Sequence, residues 1–188
     1  AFYKSGDKAR AKTLFKQASS YKDEHIAASA NMWLRKIDGE KPEIEQKIQQ
    51  YLDSAETFME QLDYVSAGQA YQNIITINPD DDRGYFGMGQ IHNLKKNNDL
   101  AINYFNKAIE CNPLNTEAMC NIASIYINLN DYNQANKYLF MAQEADSSEP
   151  NIHYLLGILY DKKGQKQEAL KELNLYMKLA PGGKYAGD

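Results

Sequence analysis

The sequence predicts an all-α fold, an α-solenoid of antiparallel helix pairs, and three observations carry that prediction. Asn78-Pro79 recurs as Asn112-Pro113 after 34 residues, and Pro181 stands 68 residues, twice that interval, beyond Pro113. A fixed period of this length marks stacked copies of one supersecondary unit, each too small to bury its own apolar face. Alanine stands at 67, 101, 135 and 169, once in every period. From Glu43 onward, apolar residues at three- and four-residue spacing alternate with short polar turns, and no segment shows the period-two alternation of a strand.

From Ala1 to Tyr21 one helical pattern places Ala11, Leu14, Phe15 and Ala18 on a shared face, after a turn at Gly6-Asp7. A second, from about Asp23 to Ile37, aligns Ile26, Ala30, Trp33 and Ile37, with Trp33 as its packing anchor. Asp38-Gly39-Glu40-Lys41-Pro42 then supplies a glycine stop and a proline start, the expected internal boundary. Residues 1–47 therefore form a partial, atypical segment. Four repeats follow at 48–81, 82–115, 116–149 and 150–183, with 184–188 as a tail.

Aligned column by column, the repeats place a large residue at position four (Tyr51, Tyr85, Met119, His153) and a small one at position eight (Ala55, Gly89, Ala123, Gly157). Position twenty-four is bulky (Tyr71, Phe105, Leu139, Leu173), and position eleven is Phe58, His92, Tyr126 and Tyr160. Alternation of small and bulky residues across facing helices lets two helices interdigitate at short separation.

These columns resemble the tetratricopeptide repeat family, whose unit has a large-Leu-Gly-Tyr first helix, an Ala-Phe-Ala second helix and a terminal proline. The resemblance spans 48–183 and extends to 7–20, which is similar to the second half of a repeat, while 22–47 depart from it. It implies a right-handed superhelix and a concave groove lined by the first helices, holding an extended peptide or a partner helix. Transferred position by position, the groove residues are Arg83, Phe86, Gln90, Asn93, Asn121, Ser124, Asn128, Asn151, Tyr154 and Ile158, with Gly87 as bare wall and Cys120 and Leu155 beside them. Amide side chains there bond a peptide backbone in either sense, while Phe86, Tyr154 and Ile158 offer apolar contact. The Lys, Asn and Arg set with which one subset of the family grips carboxylate-ended chaperone tails is absent apart from Asn121, so that ligand is not expected.

Other chemistry finds little support. The formal charge of −4 argues against sequence-independent nucleic-acid binding, which needs clustered cations. No apolar run reaches the length of a membrane span, so no direct membrane insertion is expected. Cys111 and Cys120 lack metal-site spacing and read as free thiols. His25, His92 and His153 have no convergent partner, and packing is their expected role. Asp80-Asp81-Asp82 reads as a helix cap. Gly87-x-Gly89 lacks the third glycine and preceding strand of a nucleotide loop, and 128–133 lacks the glycine and glutamate of a calcium loop. No catalytic residue, metal or cofactor is expected, and the chain reads as a non-enzyme.

The expected function is thus a protein-binding scaffold or adaptor. A self-assembling oligomer and the targeting module of a larger enzyme are the alternatives. The chain opens at Ala1 in mid-pattern, which raises the expectation of preceding sequence. Localisation stays open: cytoplasmic by default, exported or membrane-tethered if a leader precedes it. Lys184–Asp188 is short for a capping helix, so a partner chain or a domain edge is expected there.

Overall fold

The chain was analysed as a computed structural model that describes residues 42–181 together with Ile26 and Ala30. The readings for the helix at 7–20, His25, Trp33, the break at 38–41 and the tail lie outside the described residues.

Among the described residues there are eight helices and no strand: α1 Pro42–Glu60, α2 Tyr64–Ile77, α3 Asp82–Leu94, α4 Asn98–Cys111, α5 Thr116–Asn128, α6 Tyr132–Ala145, α7 Pro150–Lys162 and α8 Lys166–Leu179. They form an all-α helical repeat of the solenoid class. The chain divides into two compact units between Gly87 and Met88, with Glu110–Pro113 belonging to the first. In the first unit α1 packs on α2; in the second α5 packs on α6 and α7 on α8, and α7 also contacts both α5 and α6.

The helix ends repeat as regularly as the columns do. Each first helix closes through one residue with positive φ: Leu62 (60°), Lys96 (58°), Asn130 (60°) and Gly164 (75°). The following amide then reaches back five residues: Asp63 to the Phe58 carbonyl at 2.9 Å, Asn97 to His92 at 2.9 Å, Asp131 to Tyr126 at 2.9 Å and Gln165 to Tyr160 at 2.8 Å. This closure satisfies carbonyls that the helix end would otherwise leave without donors. The same residue then caps the next helix. Asp63 accepts from the Val65 and Ser66 amides, and Asp131 from Gln134. Gln165 makes no side-chain cap bond.

The small column works as a contact point. Ala55 and Ala123 are fully buried. A methyl built on Gly89 would lie 2.6 Å from the Phe105 ring, and one on Gly157 2.6 Å from Leu173. Phe105, Ile74, Leu139 and Leu159 are fully buried, each contributing about 1.5–3 kcal/mol of transfer free energy.

Candidate protein-binding groove

In the second unit, α5 turns Ala118, Ile122, Ala123 and Ile125 into the core. Among the residues left uncovered is a stripe at i, i+3 and i+7: Asn121 and Ser124, half-exposed, and Asn128, exposed. On α7, Ile152, His153, Leu156 and Leu159 are buried, and Asn151, Tyr154 and Ile158 repeat the same spacing, all half-exposed. Gln90 and Asn93, also half-exposed, continue the set on the second-unit part of α3. The eight residues that the sequence places in the groove and that fall in this unit thus lie on the accessible sides of their helices. Asn121 donates its side-chain amide to the Glu117 carbonyl one turn earlier at 2.8 Å. Tyr154 packs at 54° against Tyr176, ring centroids 5.5 Å apart, which anchors it to α8 while its remaining surface faces outward.

Three assignments beside these need correction. Leu155 and Cys120 are buried, so they pack between helices and line no groove. Gly87 is no bare wall: a methyl there would overlap Cε1, Cζ and Cδ1 of Tyr71. The Tyr71 ring lies flat on the Gly87 backbone, and the glycine exists to admit it.

Arg83 and Phe86 belong to the first unit, and Phe86 is half-buried. Arg83 is held by two carboxylates. Nη1 and Nη2 donate to the Glu45 oxygens at 2.8 and 3.0 Å, and Nε and Nη2 to the Asp81 oxygens at 2.9 and 2.7 Å. The hydrogen bonds to Asp81, and secondarily to Glu45, push its pKa up against the opposing effect of burial. Forked pairing of this kind fixes both orientation and charge. Arg83 therefore ties α1 to the start of α3, a role the sequence did not disclose because Glu45 lies 38 residues earlier. Asp81 also accepts from the Arg83 amide at 3.1 Å, so the helix-cap reading of the aspartate run holds at this residue.

The titratable side chains that drew attention in the sequence are occupied by packing. His153 is buried, with Nε2 3.3 Å from the Ser147 carbonyl and Nδ1 2.8 Å from the Glu172 carboxylate. The carbonyl can only accept, so Nε2 donates, and the ring joins α7 to α8. His92 stacks on Tyr104 at 5.3 Å and 8°. Its Nδ1 is buried without a hydrogen-bond partner, and burial, with Lys95 nearby, lowers its pKa. Both thiols are free. Burial first, then the surrounding carboxylates, pushes Cys111 up to about 11 and Cys120 to about 12, which leaves little nucleophilic thiolate near neutrality. No helix among the described residues is long and apolar enough to cross a membrane.

A family model described as the TT21 fifth ARM repeats domain matches residues 84–186, more than half of the chain. The chain belongs to this family. Its repeats are of the tetratricopeptide-like kind, as their columns indicate, and solved structures carry the same architecture. A MamA crystal structure is 18% identical over 94% of each chain, with a TM-score of 0.61. YrrB, titled a TPR protein with an unusual peptide-binding site, is 17% identical over 94% of this chain and 88% of its own, with a TM-score of 0.57. The TPR2B domain of yeast Sti1, in a complex with pHsp70, is 23% identical over 68% of this chain and 98% of its own, with a TM-score of 0.52. At these identities the likeness is one of fold. No curated protein matches the sequence.

Proposed function

We propose that this TT21-type repeat chain is a protein-binding scaffold, not an enzyme. Its ligand would be an extended peptide or a helix lying along Gln90, Asn93, Asn121, Ser124, Asn128, Asn151, Tyr154 and Ile158. The repeat frame 48–81, 82–115, 116–149 and 150–183 belongs to the same proposal. The observation that carries it is the amide stripe itself. Amides stand on the accessible sides of three successive first helices, at repeat positions nine and twelve (Gln90, Asn93), six and thirteen (Asn121, Asn128) and two (Asn151), although asparagine is a weak helix former. Such a set offers donors and acceptors to a peptide backbone, with Tyr154 and Ile158 as apolar anchors. The peptide-binding site named for YrrB and the Sti1 complex support the reading by analogy of fold. Because Arg83 is committed to Glu45 and Asp81, its part is to hold α1 against α3 rather than to meet the ligand.

The experiment compares affinity capture from native extract by the wild type and by an Asn93→Ala, Asn128→Ala, Ile158→Ser variant with unchanged circular dichroism. Loss of the same bound species from the variant is the expected result. Capture that is indifferent to the three substitutions overturns the groove.

A further inference from the structure

One side of α1 carries a row of carboxylates, and the fold neutralises only the first of them. Glu45, Gln49, Asp53, Glu56 and Glu60 follow one another at steps of four, four, three and four residues, and all are exposed. The helical repeat gathers them into an arc of about 80° and turns Lys47, the one lysine of α1, to the opposite side. Glu45 is taken by the guanidinium of Arg83 in a forked pair at 2.8 and 3.0 Å. Arg83 reaches no further, since at 1.5 Å per residue Asp53 and Glu56 lie about 12 and 16.5 Å beyond Glu45 along the axis. Asp53 accepts from the Gln49 side-chain amide at 2.7 Å. Among the described residues, Asp53, Glu56 and Glu60 form no ion pair. They stand at repeat positions six, nine and thirteen, columns that hold Asn121, Gln90 and Asn128 in later repeats.

Exposed carboxylates alone are an ordinary solvated face, and Tyr71 is what distinguishes this one. The ring is 8% accessible and lies on the backbone of Gly87, at position six of the next repeat. Among the described residues its hydroxyl makes no hydrogen bond. Buried atoms without a partner are confined there to His92 Nδ1, so the tyrosine oxygen opens onto solvent. Burial first, and then the charge of Glu56, raises the pKa of Tyr71. The hydroxyl therefore stays protonated near neutrality and faces Glu56 without bonding to it. Gly87 thus admits a ring whose polar end emerges beside the acidic row, all within the first unit.

We propose that this part of the groove is a subsite for an arginine side chain of the bound peptide. Asp53 and Glu56 take the guanidinium, and the Tyr71 oxygen accepts one of its N–H groups. A guanidinium suits the place because its planar fork serves a carboxylate and a neighbouring acceptor at once, as Arg83 already does with Glu45 and Asp81. Glu60, one turn on, adds to the same negative field. The inference rests on the groove reading above and names the chemistry of one residue of that ligand.

The test selects peptides from a random display library on the full chain and, in parallel, on its Asp53→Asn, Glu56→Gln variant. The wild-type pool should be enriched in arginine at one position, and the variant pool should not. A selected peptide, labelled with fluorescein, is then compared by polarisation with the same peptide carrying citrulline, a neutral isostere, at that position. Citrulline should weaken binding to the wild type about tenfold or more and change binding to the variant little. Tyr71→Phe keeps the ring on Gly87 and removes only the oxygen. It should weaken the arginine peptide about three- to tenfold with unchanged circular dichroism, and the citrulline peptide less. Binders that carry no arginine, or a citrulline peptide held by the wild type as tightly as its parent, overturn the subsite and leave the groove standing. A library that yields no binder overturns both.

Discussion

Replacing Gly87 by alanine sets two physical effects of opposite sign against each other. Gly87 lies inside α3, where alanine is the better helix former by about 1 kcal/mol. On an open groove wall the substitution would therefore stabilise the protein. In the structure the added methyl overlaps three atoms of the Tyr71 ring, and that ring is itself only 8% accessible, so it has little room to withdraw. Overpacking of a filled core typically costs about 1–3 kcal/mol. Simultaneous contact with three atoms of a stiff, buried ring belongs at the upper end, about 3 kcal/mol. The net expectation is destabilisation by about 2 kcal/mol, a fall in the unfolding midpoint of roughly 4–8 °C for a chain of this size. Thermal unfolding followed by far-UV circular dichroism measures it. In a Tyr71→Leu background the ring is gone, and Gly87→Ala should become neutral or stabilising. A midpoint that rises in the otherwise native chain, or a penalty that persists without the ring, refutes the reasoning.

The remaining expectations concern the repeat's turns and the orphaned Nδ1 of His92. Leu62→Gly should stabilise by about 0.5–1 kcal/mol, measured by urea unfolding: relief of a left-handed leucine is worth about 1–2 kcal/mol and glycine's extra unfolded entropy returns about 0.5–1, while Leu62, 69% accessible, gives up little burial. Gln165→Asp should add about 1 kcal/mol by the same assay, supplying α8 with the cap that Asp63 and Asp131 give their helices. His92→Phe should keep the stack on Tyr104 and remove the partnerless Nδ1, a gain of about 1 kcal/mol. The same variant carries a pH signature. The folded pKa of His92 is lowered from about 6.5, so near that value the unfolded chain binds the proton more tightly. Its contribution is complete above pH 6.5 and is lost as pH falls through the folded value. Midpoints measured from pH 8 down to pH 5 should therefore decline less in His92→Phe than in the wild type, and equal declines would count against this account of His92.

What the sequence disclosed and what it hid follow one division. The proline and alanine columns repeat because each repeat solves the same packing problem, so helix existence, pairing and the buried faces could be read one residue at a time. The aspartate run 80–82 likewise announced the start of α3, which Asp81 caps. The left-handed turn position was hidden because Leu62, Lys96 and Asn130 occupy a site where glycine is the usual signal, and only Gly164 shows it. Gly87 was misread because the group that fills its space, Tyr71, arrives from the preceding helix, and a small residue in a sequence cannot say whether its emptiness is open or occupied. Arg83 was assigned to a ligand because its charge is visible and its partner is not: Glu45 on α1 becomes a neighbour only when α1 and α3 are brought together. The accessible sets Asn121, Ser124, Asn128 on α5 and Asn151, Tyr154, Ile158 on α7 were legible as a pattern, since i, i+3 and i+7 spacing survives any detail of packing. Residues such as Leu155, one step round the same helix, were not, because a rotation of about 100° decides between groove and core.

The groove is tested most directly by following the side-chain amides that define it. A peptide selected from a random display library against the chain should perturb the side-chain amide NMR signals of Asn121, Asn128 and Asn151. Asn128→Ala with Asn151→Ala should weaken its binding about tenfold or more, as expected for two lost hydrogen bonds. Full affinity in that double variant, or perturbations confined to other surfaces, would contradict the account.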